Sequence, residues 1–328
     1  MEKHNVFEND GLSKSYTMKF FGKGSEYFGI IIVNWLLTLI TLGIYYPWAR
    51  ARRIKYMYGA TALNDNRFAF HGTGKQMFRG FVKVVLFYAV LTGILVFANL
   101  IAKKEPSLAI ALILLFYVVF LAVIPLIYHG AYRYRMSRTT WCGIRFGYRG
   151  SKKQLYINFL KWFGLTLITF GIYNAWFTIN LRKYLIGNIR AGDVEFEYKG
   201  NGSDFFVVLV LGYIFTVLSL GIYSFWWEKE LWNYYIDNIS LQKGDKTMQL
   251  KSTVTGGGIF KLRVVNFLLT VFTLGLGYAW VAVRTRKYFT ENTHLEGDIN
   301  LNEIAQTEEI YTDAMFEDAG DFFDIDIF

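Results

Sequence analysis

The sequence predicts an α-helical polytopic membrane protein with internal repeats of about 50 residues and short β-strands at the cytoplasmic membrane face. Three observations predict this fold class. Six long runs lack Asp, Glu, Lys and Arg. A glycine-centred motif recurs along the chain, and short segments of alternating side chains precede an aromatic–glycine motif. Composition agrees, since 53% of the 328 residues are hydrophobic and only 19% are charged, whereas soluble domains carry about 25% charged residues.

The uncharged runs are long enough to cross a bilayer, which takes about 20 mostly apolar residues. A soluble fold would have to cover each run on every side, which is difficult for six runs in one chain. Tyr and Trp cluster at the ends of the runs, as they do at membrane interfaces. The polar first 26 residues have no apolar core, so we expect no cleaved signal peptide. The runs are 27–49, 84–102, 106–132, 162–181, 205–227 and 264–283.

A short aromatic–glycine motif marks the start of each repeat. Phe20-Phe-Gly22-Lys-Gly24 is the first version, and the segment before it alternates in side-chain type, as Val194-Glu-Phe196-Glu-Tyr198 does before a later version. Period-two alternation with aromatic residues is typical of a strand. The pattern therefore predicts a strand that ends at a glycine turn, followed by a helix. Further versions contain Gly72, Gly150 and Gly200, and a weak one contains Gly256.

A second motif, Thr41-Leu-Gly43-Ile-Tyr45-Tyr-Pro-Trp48, follows the first at a nearly fixed distance. It predicts a glycine break between an apolar helix and an aromatic–basic helix, so that the chain contains about five units of strand, helix, break and helix. The second unit lacks the Tyr and Trp of this motif. The break glycines and the Trp five residues after each are Gly43 and Trp48, Gly171 and Trp176, Gly221 and Trp226, and Gly275 and Trp280.

These motifs, together with the closing Asp321-Phe-Phe-Asp-Ile-Asp326, resemble the bacterial inner-membrane family typified by YjgN, a family of unknown function. The resemblance covers essentially the whole chain. It implies a multipass protein of the bacterial inner membrane, and it supplies no activity and no catalytic residue.

Three segments follow from these patterns. Residues 1–26 form a cytoplasmic segment with the first strand, residues 27–301 form the membrane domain, and residues 302–328 form an acidic tail. Two topologies stay open. Simple spans would distribute the strands between both sides of the membrane. Hairpins that turn at each glycine break would bring every strand to the cytoplasm, but would carry charges such as Arg52 towards mid-membrane, where each costs a few kcal/mol or more.

Basic residues just beyond the breaks are candidate ligand-path or lipid-anchoring residues. An interior ring of them would attract an anion, with Glu228 and Glu230 as counter-charges, whereas outward-facing cations would contact lipid headgroups. The candidates are Gly43, Trp48, Arg50, Arg52, Lys55, Gly171, Trp176, Arg182, Lys183, Gly221, Trp226, Glu228, Glu230, Gly275, Trp280, Arg284 and Lys287.

Two classes of function fit these residues. One is a transporter or channel for a small anionic solute or a lipid phosphate. The other is a non-transporting membrane scaffold or a protein that binds lipids or partners. We expect no enzyme, metal or cofactor, because no nucleophile, ligand cluster or acid–base pair stands out.

Charge predicts the partners. The net charge is +9, yet the chain has 12 acidic residues and no Lys or Arg after Lys287. We expect the basic remainder to lie beside anionic lipid and not to bind nucleic acid. The acidic tail is a candidate site for a protein partner, and assembly into a homo-oligomer stays open.

Overall fold

The computed structural model describes residues 14–307. Within this range, ten short strands form one closed antiparallel barrel in which each strand pairs with its neighbours in the sequence, and β10 pairs with β1 to complete the circle. The strands are β1 Lys14–Phe20, β2 Thr61–Leu63, β3 Asn66–Phe70, β4 Thr139–Trp141, β5 Ile144–Tyr148, β6 Ile189–Ala191, β7 Val194–Tyr198, β8 Ile239–Lys243, β9 Lys246–Ser252 and β10 Thr293–Gly297.

Ten helices lie at one end of the barrel, in five pairs. Each pair leaves from an odd-numbered strand and returns to the next strand; β1 and β2, for example, pair with Phe20 opposite Thr61. Each helix contacts the next one along the chain or returns to the barrel beside it, and α10 packs on α1. The helices are α1 Gly24–Ile40, α2 Tyr46–Ala60, α3 Gly74–Ile101, α4 Pro106–Ser137, α5 Lys152–Ile168, α6 Asn174–Gly187, α7 Gly202–Leu218, α8 Ser224–Asp237, α9 Gly256–Phe272 and α10 Tyr278–Glu291.

The opposite end of the barrel carries tight turns. Asn64 and Asp65 join β2 to β3 with φ of 49° and 65°, and Cys142 and Gly143 join β4 to β5 with φ of 49° and 80°. Two consecutive residues of positive φ form the turn whose twist matches that of paired strands. No hairpin turn joins β10 to β1, because these two strands lie at the two ends of the described chain.

The predicted fold class, an α-helical polytopic membrane protein with strands at its face, is wrong. A closed ten-stranded barrel forms the centre of the described chain, and only α3 and α4 are long and apolar enough to cross a membrane. Four of the six uncharged runs are not single helices, because each contains the glycine break and folds as helix, turn and helix. Helix α1, for example, ends at Ile40 and α2 begins at Tyr46.

The closed barrel also brings all the described strands together at one place. All ten strands of the described chain lie in one sheet, so every helix pair returns to the barrel, four of them by turning at the glycine break and the α3–α4 pair through the connection at 102–105. The strands at the ends of the second helices, such as β2 and β4, were not foreseen from the sequence. Three residues are too few to show alternation.

Contacts between glycines and aromatic rings explain the recurring motifs. A Cβ on Gly22 would lie 2.5 Å from the Phe20 ring, so the first glycine of the motif admits the aromatic side chain two residues before it. A Cβ on the second glycine, which begins the first helix of the unit, would collide with the motif Trp of the preceding unit. In the fifth unit the structure gives this position to Gly256, which the sequence motif aligns with the first glycine. The pairs are Gly24 with Trp280, Gly74 with Trp48, Gly202 with Trp176 and Gly256 with Trp226.

The exception to this pairing is at the junction between the second and third units. Lys152 stands where the other units have the second glycine, and the helix that would supply the Trp has Leu126 at that position, eight residues before Tyr134. The glycine and the Trp are therefore absent together, as expected if each glycine is needed only to admit an indole ring.

A recurring pair of hydroxyl contacts closes four of the five units on themselves. The Tyr234 hydroxyl accepts from the backbone N–H of Asn201 at 2.8 Å and donates to its carbonyl oxygen at 2.6 Å. Tyr56, Tyr184 and Tyr288 make the same two bonds to Lys23, Ser151 and Thr255, each 33 residues earlier. The Tyr positions thus hold the start of the first helix against the end of the second.

Candidate functional site

Four helix pairs end in the same strained, apolar tip. The break residues Leu42, Phe170, Leu220 and Leu274 have φ of 49° to 50°, and the glycine after each has φ of 87° to 93°. The amide of Gly43 bonds back to the Thr38 oxygen at 2.7 Å, which ends α1 in the manner typical of a left-handed cap. The Thr41 hydroxyl then accepts from the Tyr45 amide at 3.0 Å and begins the next helix. The motif Thr/Ser-apolar-Gly therefore encodes the tip.

The tip side chains are almost completely exposed. Leu42 is 92% exposed, Phe170 98%, Leu220 94% and Leu274 93%. The flanking residues are also apolar and exposed, among them Ile40, Ile168, Leu218 and Phe272. Single exposed hydrophobic residues are ordinary on a soluble surface, but contiguous apolar patches mark a surface that meets a partner or a membrane.

The four tips are free of exposed charge to a common depth. The first exposed charged side chains on these pairs stand nine or ten residues from the break glycine, at Arg52, Lys161, Glu230 and Arg284. Glu228 and Lys229 stand nearer to the fourth tip but are half-buried, and Glu228 pairs with Arg263. Nine or ten helical residues span about 13–15 Å. The hydrocarbon core of a bilayer is about 30 Å thick, so the hydrocarbon layer of one leaflet is about 15 Å thick.

The candidate residues predicted beyond the breaks do not form one interior ring. Exposed positions are held by Arg52, Lys55, Lys183, Glu230, Arg284 and Lys287. Arg50 is 2% exposed, and the Arg182 guanidinium lies 4.1 Å from the centre of the Tyr235 ring. Glu228 pairs with Arg263 on the neighbouring helix α9. The four candidate Trp residues pack over the glycines described above, and the four candidate glycines form the tips.

The barrel encloses an apolar cavity of about 190 Å³. Strand residues such as Leu241 and Leu250 form its wall, and Tyr58, Trp232 and Arg286 line it at the helix end. Neither Arg52 nor Arg284 belongs to the lining. In an eight-stranded barrel, side chains fill the interior or leave room for one small ligand. A ten-stranded barrel is wider than that.

The turn end of the barrel is covered by residues 298–306, which we call the strap. Leu301 and Ile304 of the strap line the cavity. The Ala305 amide donates to Asp193 Oδ1 at 3.0 Å, and the Asp193 amide donates to the Ala305 oxygen at 3.0 Å. Lys243 Nζ lies 3.0 Å from Asp193 Oδ2. The strap therefore closes this end of the cavity through a charged and hydrogen-bonded attachment.

The electrostatics of this attachment favour an ionised Asp193. Burial raises the pKa of this carboxyl, but the hydrogen bonds from Lys243 and from the Ala305 amide outweigh burial and hold the pKa below its usual value. The strap and its partner residues were not foreseen from the sequence. Arg286 is one of the basic residues beyond the breaks that the sequence marks as a possible interior group, but its place beside Trp232, at an equal distance after its break glycine, was not foreseen.

Within residues 14–307, no three His, Cys, Asp or Glu side chains lie close enough together to hold a metal ion. Cys142 is exposed in its turn. The chemistry that the described side chains offer is therefore apolar contact at the tips and in the barrel, with basic groups beside both.

Comparison with known proteins supports a membrane setting. The chain belongs to a family of bacterial proteins of unknown function, DUF898, whose model matches residues 15–225 and 204–322. The inner membrane protein YjgN of Salmonella typhimurium is 30% identical over 178 residues, which cover 53% of this chain and 41% of that protein. YjgN of Escherichia coli O157:H7 is 35% identical over 143 residues, which cover 43% of this chain and 33% of that protein.

The resemblance to the YjgN family is thus confirmed, and the names of these relatives support a location in the bacterial inner membrane. The matched segment spans less than half the length of these relatives. No solved structure matches the chain.

Proposed function

We propose that this protein engages the lipids of the bacterial inner membrane without carrying a solute across it. Four helix pairs enter one leaflet by their tips, the α3–α4 pair crosses the bilayer, and the barrel stays at the cytoplasmic surface. The observation that carries this proposal is the set of four left-handed tip residues, each a Leu or Phe and each more than 90% exposed.

Energetics favour lipid as the surroundings of the tips. A non-glycine residue in the left-handed conformation costs roughly 1–2 kcal/mol, and Gly or Asn is the usual choice there. In water a bulky apolar residue would add only exposed surface to this cost. Transfer of a Leu or Phe side chain out of water contributes about 1.5–3 kcal/mol, which offsets the strain at each tip.

The depth of the charge-free zone supports insertion into one leaflet only. If the tips reach the middle of the bilayer, Arg52 and Arg284 lie about 13 Å away, at the edge of the hydrocarbon layer. The exposed charges then avoid the penalty of mid-membrane, and Glu228, which lies deeper, is paired with Arg263. Exposed cations at this level, Lys55, Lys183 and Lys287 among them, then contact anionic headgroups.

The α3–α4 pair differs from the other four. Its helices have 28 and 32 residues. Only 17% and 6% of the most apolar stretch of each helix is buried, so these are not core helices. Lys103 and Lys104 lie in the short connection between them. The basic segments 50–79 and 133–153 flank strands of the barrel, which favours a cytoplasmic barrel and an outer-side connection.

Transport of a small anion or a lipid phosphate has less support in the described residues. The strap covers one end of the barrel, and the cavity lining contains neither Arg52 nor Arg284. A path through the barrel would require the strap to leave. We therefore favour the lipid-binding role over the transporter.

The acidic segment 302–328 lies outside the described residues from 308 onward. We propose it as a site for a protein partner, on the basis of its charge alone. Removal of residues 308–328 should abolish capture of such a partner while leaving membrane insertion unchanged.

Cysteine accessibility tests the topology. In a Cys142→Ser background, single cysteines replace Leu42, Phe170, Leu220 or Leu274 in inverted and right-side-out vesicles. The tip cysteines should resist a membrane-impermeant maleimide from both sides. Two control positions report the two surfaces: Asp245→Cys at the barrel turns should react from the cytoplasmic side, and Lys104→Cys from the opposite side.

Two outcomes would overturn the proposal. One is a tip cysteine that reacts as fast as Asp245→Cys, which would place the tips in water. The other is uptake of phosphate or sulfate into liposomes that contain the purified protein at a rate above that of empty liposomes, which would restore the transporter.

A further inference from the structure

The interior of the barrel is suited to hold a ligand of its own. We propose that the cavity binds a single-chain anionic amphiphile, with the hydrocarbon chain inside the barrel and the acidic head at Arg286 and Trp232. This inference rests on the proposed lipid-binding function only for the source of the ligand, since the site itself lies in the barrel and not at the tips.

The lower part of the cavity can offer only apolar contact. Its wall consists of side chains such as Leu241 and Leu250, and Leu301 and Ile304 of the strap form its floor. An apolar cavity of about 150 Å³ stays dry and binds a molecule such as benzene. The barrel cavity measures about 190 Å³, so a segment of hydrocarbon chain fits.

The polar groups of the lining are mostly occupied already. The hydroxyls of Thr61, Thr139 and Thr293 each donate to the carbonyl oxygen four residues earlier, at 2.7–2.9 Å. The Trp141 indole N–H donates to the Asn66 oxygen at 3.0 Å. These groups therefore have no donor left for a ligand, and the threonines present their methyl groups.

Two buried donors at the helix end of the cavity lack an acceptor in the described part of the chain. The Nε of Arg286 and the indole Nε1 of Trp232 are buried and have no hydrogen-bond partner among residues 14–307. Arg286 is also the single charged residue in the lining that the structure describes. A buried donor without an acceptor is unfavourable, and a buried charge more so. An anionic head with more than one oxygen has an acceptor for each group.

Position makes the two donors a single site. Trp232 and Arg286 both stand eleven residues after their break glycines, on the neighbouring second helices of the fourth and fifth units. Phe289, one turn beyond Arg286, lies 4.4 Å from the Trp232 ring, centre to centre. The two donors thus share the end of the cavity that faces the helices, opposite the strap. A carboxylate and a phosphate have the chemistry required, so a fatty acid and a lysophospholipid are the two sources.

Photochemical labelling tests the site in the full-length protein in lipid nanodiscs. The probe is a fatty acid of octanoate length, which matches the cavity volume, with a diazirine near its methyl end. We expect labelled peptides from β8 and β9, which contain Leu241 and Leu250. Unlabelled fatty acid or lysophosphatidic acid competes, according to which headgroup the site prefers, and a fatty alcohol of the same length does not compete.

Matched variants separate the site from general lipid contact. Arg286→Gln should lower labelling of β8 and β9 at least about tenfold, as expected for a lost charged hydrogen bond. Arg284→Gln, two residues away and exposed, should leave it unchanged. Leu241→Trp should fill the cavity and abolish labelling. If Leu241→Trp fails to fold, the comparison of Arg286→Gln with Arg284→Gln still decides.

Equal labelling of β8 and β9 in the wild type and in Arg286→Gln would overturn the inference, and so would labels confined to the helix tips. Competition by the fatty alcohol as strong as that by the acid would refute the role of the anionic head. Failure of the proposed function looks different, because tip cysteines that react from water leave the labelling of the barrel unchanged.

Discussion

The contact between Gly24 and Trp280 closes the ring of helices, and a single methyl group tests it. Gly24 begins α1 in the first unit, and Trp280 lies on α10 in the fifth. An added Cβ would lie 2.3 Å from Trp280 Cδ1 and 2.6 Å from Cγ. Carbon atoms in contact prefer about 3.5–4.0 Å, so the indole would have to move by more than about 1 Å. Overpacking of this kind costs about 1–3 kcal/mol.

Gly29 provides the control on the same helix. It is exposed, and a Cβ there would meet nothing within 4 Å. In a helix interior, Gly→Ala stabilises by about 0.5–1 kcal/mol. The same substitution five residues apart should therefore change stability in opposite directions, with Gly24→Ala destabilising and Gly29→Ala stabilising.

Thermal unfolding in detergent, followed by circular dichroism, measures both changes. A change of 1 kcal/mol corresponds to about 2–4 °C in Tm for chains of 150–250 residues. In a Trp280→Ala background, Gly24→Ala should cost less than about 0.5 kcal/mol, because the clash is gone. The reasoning is refuted if Gly24→Ala leaves Tm unchanged, or if its cost is the same with and without the Trp280 ring.

Two further substitutions test the closing contacts within the units and at the strap. Tyr234→Phe removes both hydroxyl bonds to Asn201 and should destabilise by about 1–2 kcal/mol, whereas Tyr213→Phe, at a 65% exposed side chain, should stay within about 0.5 kcal/mol in the same melting assay. At the strap, the pKa of Asp193 is lowered in the folded state from an ordinary 3.8, so its stabilisation is complete above that value and is lost as the pH falls through the folded pKa. Hydrogen exchange of residues 298–306, corrected for intrinsic rates, should rise in that acid range, and Asp193→Asn should raise it already at pH 7; an exchange rate that ignores both changes would show that Lys243 and Asp193 do not hold the strap.

Local features of the fold could be predicted from the sequence because they depend on neighbours in the chain. The strands that precede Gly22 and Gly200 show alternation of side chains. The tips at Gly43 and Gly171 each combine a glycine with a Thr two residues before it. Both features are encoded within about ten residues. The structure places the ends of the helices where these motifs stand.

The closed barrel could not be predicted, because nothing local encodes it. Strand β2 has three residues, too few for a period, and β10 meets β1 across almost the whole chain. An uncharged run of suitable length fits either a single span or a hairpin that turns at its glycine break, so both topologies stay open from the sequence. The pairing of the two cavity donors was missed because it is not local either. Trp232 and Arg286 become neighbours only when the fourth and fifth units pack.

Barrel closure and the proposed shallow insertion of the tips have one structural cause. Five separate units would leave ten short strands with open N–H and C=O groups at every edge, and a closed sheet is the arrangement that removes all edges. Because all strands must meet in one barrel, each helix pair has to return to the side from which it left. A returning pair with its first exposed charges about 13–15 Å from the tip fits one leaflet and not two. Among the described helix pairs, only α3 and α4, which lack the break, are long enough to reach the other side. In the proposed arrangement, the presence or absence of the tip glycine therefore sets how deep each unit goes.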